Sequence, residues 1–303
     1  MAGVIASIGA LRVVRGAPRL GPYRLAGLVV ESGFARIHRA TDTRDGRAVA
    51  LKVFHPAGRN GRGSGYTLDQ WRRRFLAEAR LLAEFRHPNV IEALALGDED
   101  GERPWFAMPW MVANLRREIG RDARTPAAIA RLPAHERPRA VTVARALTVL
   151  RQLASGLAAL HARGLVHRDV KPTNLLVTAR EGGDVRLCDL GMVKLPATDI
   201  SRAGVWVGTP DYMAPEQYED ASQAGDRADV YSAGVLGYRL LTGVLPAGAF
   251  RAAHDLVPGV PPRLGELLQA AMAPEPGDRP SAAEMEARLA ELQSSWDECH
   301  QQC

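Results

Sequence analysis

Lysine is scarce in this chain. Of its 39 Lys+Arg residues only Lys52, Lys171 and Lys194 are lysines. In so Ala-, Arg- and Gly-rich a composition, arginine serves wherever any cation will do. A retained lysine therefore marks a place that needs a compact ammonium rather than a planar fork. Cysteine is equally sparse: Cys188, Cys299 and Cys303 make no disulfide framework and point to a reducing, cytoplasmic setting. Long apolar runs are missing too. No stretch approaches the roughly 18 residues of a membrane helix, so no span is expected. Met1 to Leu11 is mildly apolar, but no basic region precedes it and Arg12 and Arg15 follow, so it is not read as a signal peptide. No internal repeat is present.

What remains is ordinary for a globular protein: 303 residues, 46% hydrophobic and 24% charged, enough for one large domain or two medium ones. The net charge of +5 implies a mild preference for anions. Arg59, Arg62 and Arg72 to Arg74 form a basic group, but a nucleic-acid face wants interleaved aromatics, and only Tyr66 and Trp71 offer them. No nucleic-acid partner is expected.

Residues 1–20 read as a loose leader. From Tyr23 to Val53 the text is strand-like, broken at Ser32-Gly33 and at the hairpin signal Asp45-Gly46. The Gly/Arg stretch 57–65 reads as an exposed loop. Asp69 is expected to cap a helix whose apolar face is Trp71, Phe75, Ala79, Leu82 and Phe85. Strands are expected over Val90–Leu96 and Trp105–Met111. Residues 121–139, rich in Pro, Ala and Arg, read as an irregular insertion, and Val141 to Ala162 as a strong helix. From Ser222 onward the pattern is helical. A strand-rich first third before a helix-rich remainder predicts an α+β pair of lobes with a ligand cleft between them.

After the strong helix comes His167-Arg168-Asp169-Val170-Lys171-Pro172-Thr173-Asn174. Phosphoryl transfer needs a carboxylate to accept from the attacking hydroxyl, and an amide oxygen on a divalent cation. Asp169 and Asn174, five residues apart, have that chemistry. The string resembles the protein-kinase catalytic loop. Cys188-Asp189-Leu190-Gly191 resembles the metal-binding motif that follows it, with Leu in place of Phe. Val49-Ala50-Leu51-Lys52 resembles the strand that carries the phosphate-binding lysine, and alternation puts Ala50 and Lys52 on one face. Gly208-Thr209-Pro210-Asp211-Tyr212-Met213-Ala214-Pro215-Glu216-Gln217 resembles the peptide-positioning segment, which small-molecule kinases of related fold lack.

By these motifs, over roughly residues 23 to 292, the chain resembles eukaryotic-type serine/threonine protein kinases, bacterial members above all. The resemblance implies a two-lobed fold: a small antiparallel-sheet lobe with one main helix (21–112) and a large helical lobe (113–293), followed by a tail (294–303). It implies that Lys52 holds the α- and β-phosphates of ATP and pairs with Glu78. It implies that Asp169 meets the substrate hydroxyl, that Lys171 sits near the γ-phosphate, and that Asn174 and Asp189 hold Mg²⁺, or Mn²⁺ in its place. Val30, Ser32, Gly33, Ala35 and Ile37 fall in the phosphate-covering loop, whose three glycine positions are here Val30, Ser32 and Ala35. Glycine lets backbone N–H groups approach phosphate closely, so looser cover of ATP is expected. Ala50, Met108 as gatekeeper, Pro109, Met111 and Leu176 are the implied adenine-side residues. Pro109 has no N–H to donate, which leaves its carbonyl and the Met111 N–H. Glu216 is expected to pair with Arg279, and Asp229 to anchor the catalytic loop. The implied partners are ATP, protein substrates with Ser or Thr, and the chain itself through autophosphorylation, with Thr198 and Ser201 as candidates and Thr209 a weaker one. The alternative is a nucleotide-binding scaffold with a degraded loop.

Overall fold

The computed structural model describes residues 18–32, 34–56, 67–180, 182–192, 210–219 and 224–301. Gly33, the loop 57–65, Lys194, Thr198, Ser201, Thr209 and Cys303 lie outside them. The chain divides into two compact units, one within Met1–His87 and Ile91–Met111, the other within Pro88–Val90 and Val112–Cys303.

The first unit is a six-stranded antiparallel sheet with one helix. The strands are β1 (Arg19–Leu20), β2 (Tyr23–Glu31), β3 (Ala35–Asp42), β4 (Ala48–Phe54), β5 (Ala95–Gly97) and β6 (Trp105–Pro109), in the order β1-β2-β3-β4-β6-β5. β1 falls inside the stretch read as a loose leader, where Leu20 pairs with Tyr23. Alternation drives Tyr23, Ala40, Val49, Leu51, Val53, Trp105 and Ala107 into one core, with the Tyr23 and Trp105 rings edge-on at 5.4 Å. Helix α1 (Leu68–Glu84) buries Phe75, Leu76, Ala79 and Leu82. Its Phe75 ring meets Phe54 at 5.6 Å and Phe106 at 5.3 Å.

Three local expectations need correction here. The cap of α1 is Thr67, not Asp69: its hydroxyl accepts from the Gln70 N–H while its own N–H donates to the Gln70 side chain, a reciprocal capping box. The strand expected over Val90–Leu96 shrinks to β5, because Val90 bridges to Leu187 and the Ala93 N–H is drawn to the carbonyl of Leu82 at the end of α1. The strand expected to reach Met111 ends at Pro109.

The second unit holds β7 (Ala113–Asn114), α2 (Arg116–Ile119), α3 (Pro126–Ala130), α4 (Val143–His161), β8 (Leu175–Val177), β9 (Val185–Leu187), α5 (Pro215–Glu219), α6 (Asp226–Thr242), α7 (Ala253–Leu256), α8 (Pro262–Ala271) and α9 (Ala282–Gln301). β7, β8 and β9 form a small antiparallel sheet. α4 packs against α9, α6 and β9 through Leu147, Leu150, Leu153, Leu157 and Leu160. Contrary to the expectation that no segment qualifies, α4 has the length and the mean hydropathy, 1.2, of a membrane span. Half of that window is buried inside this unit, as befits a core helix. α6 is apolar on nearly every side and ends at Gly243, whose φ of +77° suits a left-handed cap.

Residues 121–139 are not irregular throughout. Thr125 caps α3, with Pro126 opening the helix, and a 3₁₀ turn follows at Ala134–Glu136. The ends of the segment are closed by Arg121 N–H to the Glu136 carbonyl at 2.7 Å and Arg139 N–H to the Ile119 carbonyl at 2.9 Å. Gly120, at φ +78°, makes the entry possible: a Cβ there would lie 2.0 Å from the Arg137 carbonyl oxygen.

Arg279 pins the helical body. Its side chain is fully buried and donates five hydrogen bonds: two to Glu216 at 2.7 and 2.8 Å, and one each to the carbonyls of Ala273, Pro274 and Arg227. The Tyr231 ring covers it at 5.0 Å. Arg279→Met should lower stability in urea unfolding by about 3–5 kcal/mol, because Glu216 is left without its cation. Glu216→Gln keeps an acceptor for the guanidinium and should lose less. Equal losses would contradict this arrangement.

Candidate active site

In the first unit, antiparallel register lines up the residues expected around the nucleotide. Val30 pairs with Ile37, Ile37 with Lys52, Ala50 with Met108 and Val49 with Pro109. Paired residues share a face, so Val30, Ile37, Ala50, Lys52 and Met108 lie on one side of the sheet. Ala50 and Lys52 are half-buried, between buried Val49, Leu51 and Val53. Lys52 Nζ lies 2.7 and 2.8 Å from the two oxygens of Glu78. Glu78 is 4% exposed, which a solvated helix residue would not be. A carboxylate so buried requires its cation, and Lys52 supplies it. Trp110 and Met111 follow β6, with Arg39 over the Trp110 ring at 5.2 Å.

The β2–β3 hairpin, expected from the sequence to cover phosphate, is held by its own side chains. The Ser32 hydroxyl accepts from the Ala35 N–H at 3.1 Å and donates to the Ala35 carbonyl at 3.0 Å, while Ser32 N–H donates to that same carbonyl. Arg36 grips Glu31 across the hairpin, and Phe34 stacks on Trp71 of α1 with ring centres 3.9 Å apart. Two of the substituted positions thus bind each other, and one backbone N–H is already engaged.

In the second unit, the loop between α4 and β8 carries the expected cluster. Asp229, on the first turn of α6 and fully buried, accepts from the backbone N–H of His167 at 2.8 Å and of Arg168 at 2.7 Å. Its oxygen also lies 2.8 Å from His161 Nε2. Arg168 takes φ +67°, and the chain turns there to present Asp169. One oxygen of Asp169 is held by Lys171 Nζ at 2.6 Å and by Asn174 Nδ2 at 2.9 Å. Its other oxygen, Oδ1, is buried and has no hydrogen-bond partner among the described residues. Asn174 also donates to the Asp169 carbonyl at 2.8 Å, which fixes the orientation of its amide. Leu176 lies on the less covered face of β8, between buried Leu175 and Val177.

Asp189 follows β9. Its approach is set by the Cys188 N–H on the Asn174 carbonyl at 2.9 Å and by His167 Nε2, 3.0 Å from the Cys188 carbonyl. Asp189 has φ +65°. No group of three or more His, Cys, Asp or Glu side chains could hold a metal among the described residues. Asn174 carries an amide oxygen and Asp189 a carboxylate, oxygen donors of the kind taken by a cation that keeps water and phosphate oxygens in its shell. Mg²⁺ binds in this way.

Some residues of this region escaped the sequence reading. Gln217 accepts from Ala214 N–H at 3.0 Å and donates to the Arg168 carbonyl at 3.4 Å, tying the Ala-Pro-Glu segment to the catalytic loop. Ser232 donates to the Tyr212 carbonyl at 2.7 Å. Asp122, inside the expected insertion, meets both Tyr212 and Arg239. Arg239 was the available signal: an arginine in the apolar run Val235 to Leu241 must find a partner. Arg72, part of the basic group, is committed to the carbonyls of Glu99 and Gly101.

Comparison with known proteins gives the same picture. Residues 29–287 match the protein kinase domain family. The chain is 36% identical over 275 residues to the serine/threonine-protein kinase PknL of Mycobacterium tuberculosis, covering 85% of this chain and 62% of that protein. It is 35% identical over 229 residues to the DNA damage-responsive serine/threonine-protein kinase RqkA of Deinococcus radiodurans, covering 75% and 30%. It is 32% identical over 279 residues to the serine/threonine-protein kinase PknA of Mycobacterium tuberculosis, covering 86% and 58%. The chain therefore spans less than two thirds of the length of each of these relatives. With a sheet-bearing unit, a helical unit and a match across most of its length, the chain belongs to the protein kinase family.

Proposed function

We propose that this chain is an ATP-dependent serine/threonine kinase that moves the γ-phosphoryl group of ATP to protein hydroxyls. The observation that carries the reading is the state of Asp169. One of its oxygens accepts from Lys171 and Asn174, and the other is buried without a partner among the described residues. A buried carboxylate oxygen with an open lone pair is suited to accept a hydrogen bond from an incoming hydroxyl. The hydroxyl oxygen attacks the γ-phosphorus, the bond to the β-phosphate oxygen breaks, and the proton passes toward Asp169. Lys171 holds one oxygen of Asp169 by a hydrogen bond and offers a cation to the transferring group. Lys52, held in place by Glu78, neutralises the α- and β-phosphates. Asn174 and Asp189 would hold Mg²⁺, which offsets charge on the phosphate oxygens when bound. A chain that consumes ATP belongs in the cytoplasm, and autophosphorylation at Thr198 or Ser201 is part of this reading.

With labelled ATP, Mg²⁺ and a generic protein substrate, Asp169→Asn and Lys52→Met should each lower kcat by about 10²–10³-fold or more while the circular dichroism spectrum stays that of the parent. Transfer by Asp169→Asn at the parental rate would remove Asp169 from the mechanism.

The hairpin makes a separate prediction. Ser32→Gly releases the Ala35 N–H from its side-chain acceptor and leaves it available to a phosphate oxygen. KM for ATP should fall by about 3- to 10-fold, the scale of one added hydrogen bond of about 0.5–1.5 kcal/mol, with kcat little changed. A rise in KM would mean that the Ser32 contact holds the hairpin in its binding shape.

A further inference from the structure

Asp122 lies in a segment that the sequence presents as an insertion, yet this half-buried carboxylate is the shared acceptor for two buried side chains, Tyr212 and Arg239. Tyr212 donates its phenolic hydrogen to Asp122 Oδ2 at 3.0 Å. Arg239 Nε donates to the other oxygen, Oδ1, at 2.8 Å. The Arg239 side chain is 1% exposed and also donates to the carbonyls of Arg139 at 3.1 Å and Ile119 at 2.9 Å. These two carbonyls flank the segment, so one arginine on α6 ties down its beginning, its end and Asp122. Burial first, and then the negative charge of Asp122, holds the Tyr212 phenol far above its ordinary pKa, so it stays a hydrogen-bond donor.

Tyr212 belongs to the segment Pro210–Gln217, and that segment is fastened at several points. Ser232 holds the Tyr212 carbonyl, Gln217 reaches the carbonyl of Arg168 next to Asp169, and Asp122 holds the Tyr212 hydroxyl. A second, exposed ion pair runs alongside: Arg124, two residues beyond Asp122, donates to Asp211, the neighbour of Tyr212, at 3.0 Å. Residues 122–124 therefore grip two consecutive residues of the segment. The grip sets the position of its backbone relative to the catalytic loop to which Gln217 fastens it.

We propose that Asp122 is a positioning residue for the protein substrate: through Tyr212, and backed by Arg239, it holds the peptide-positioning segment in register with Asp169. This rests on the kinase reading given above. Asp122 touches neither nucleotide-binding nor catalytic side chains among the described residues, so its loss should be felt by the peptide and not by ATP.

The test is steady-state kinetics of the whole chain with a generic serine/threonine peptide, alongside ATP hydrolysis without peptide. Asp122→Asn should raise KM for the peptide roughly tenfold, the scale of a small misplacement of a reacting group, while KM for ATP and the peptide-free hydrolysis rate stay at the parental values. Because Asp122→Asn uncovers the buried charge of Arg239 and can impair folding, Tyr212→Phe provides a second route. It removes only the hydroxyl and leaves the Asp122–Arg239 pair, and it should also raise the peptide KM. Combining it with Asp122→Asn should raise KM by less than the product of the two single effects. A parallel loss in the peptide and ATP constants, or an unchanged peptide KM in Tyr212→Phe, would overturn the proposal. A parent protein that phosphorylates no peptide would overturn the kinase reading itself, a result distinct from an active parent with unaffected variants.

Discussion

One buried carboxylate, Asp229, organises the loop between α4 and β8. Asp229 sits on the first turn of α6, where the helix dipole favours a negative charge, and takes the backbone N–H groups of His167 and Arg168 together. A fully buried anion cannot remain without partners, so the loop is drawn onto it as strongly as it is drawn onto the loop. The left-handed turn at Arg168 follows, and with it the presentation of Asp169. His167, fixed by its backbone, turns its ring to the Cys188 carbonyl, so the same contact reaches the residue before Asp189. Removing Asp229 would therefore disturb the loop that carries Asp169 and the approach to Asp189 together.

α6 carries other attachments of the same kind. Ser232 holds the Tyr212 carbonyl, Tyr231 covers the Arg279 guanidinium, and Arg239 closes on Asp122. The helix is otherwise apolar and surrounded by α4, α8 and α9. Its buried Asp229, Ser232 and Arg239 each have specific partners, which is the condition for burying them. The result is one rigid rod to which the catalytic loop, the segment Pro210–Gln217 and residues 121–139 are separately bonded. In the first unit the equivalent economy is the single Lys52–Glu78 pair, which joins the central strand β4 to α1.

How legible this was depended on how local the chemistry is. Asp169, Lys171 and Asn174 stand within six residues, and their mutual bonds follow from one short loop, so the sequence displays them as a unit. Ala50 and Lys52 share a face by strand alternation alone. Glu78 needed knowledge of the family register, because helix periodicity cannot say which polar residue turns inward. Asp122 and Arg239 are 117 residues apart, and nothing in a Pro- and Arg-rich stretch marks one aspartate as the partner of a buried arginine. Ser32 misled in the opposite direction. As a replaced glycine it implies looser cover of ATP, and the sequence does not show that its hydroxyl bonds to Ala35 and closes the turn. The cap of α1 went to Thr67 because Gln70 stands three residues on, a pairing that Asp69 cannot make with its own neighbours.

The choice between a working kinase and a nucleotide-binding scaffold turns on whether label leaves ATP for a hydroxyl. Incubation with γ-labelled ATP, Mg²⁺ and a generic protein substrate, followed by acid hydrolysis and separation of the phosphoamino acids, answers this directly. The account predicts labelled phosphoserine and phosphothreonine that disappear when the divalent cation is chelated. Calorimetric binding of ATP with no label in either phosphoamino acid would contradict it.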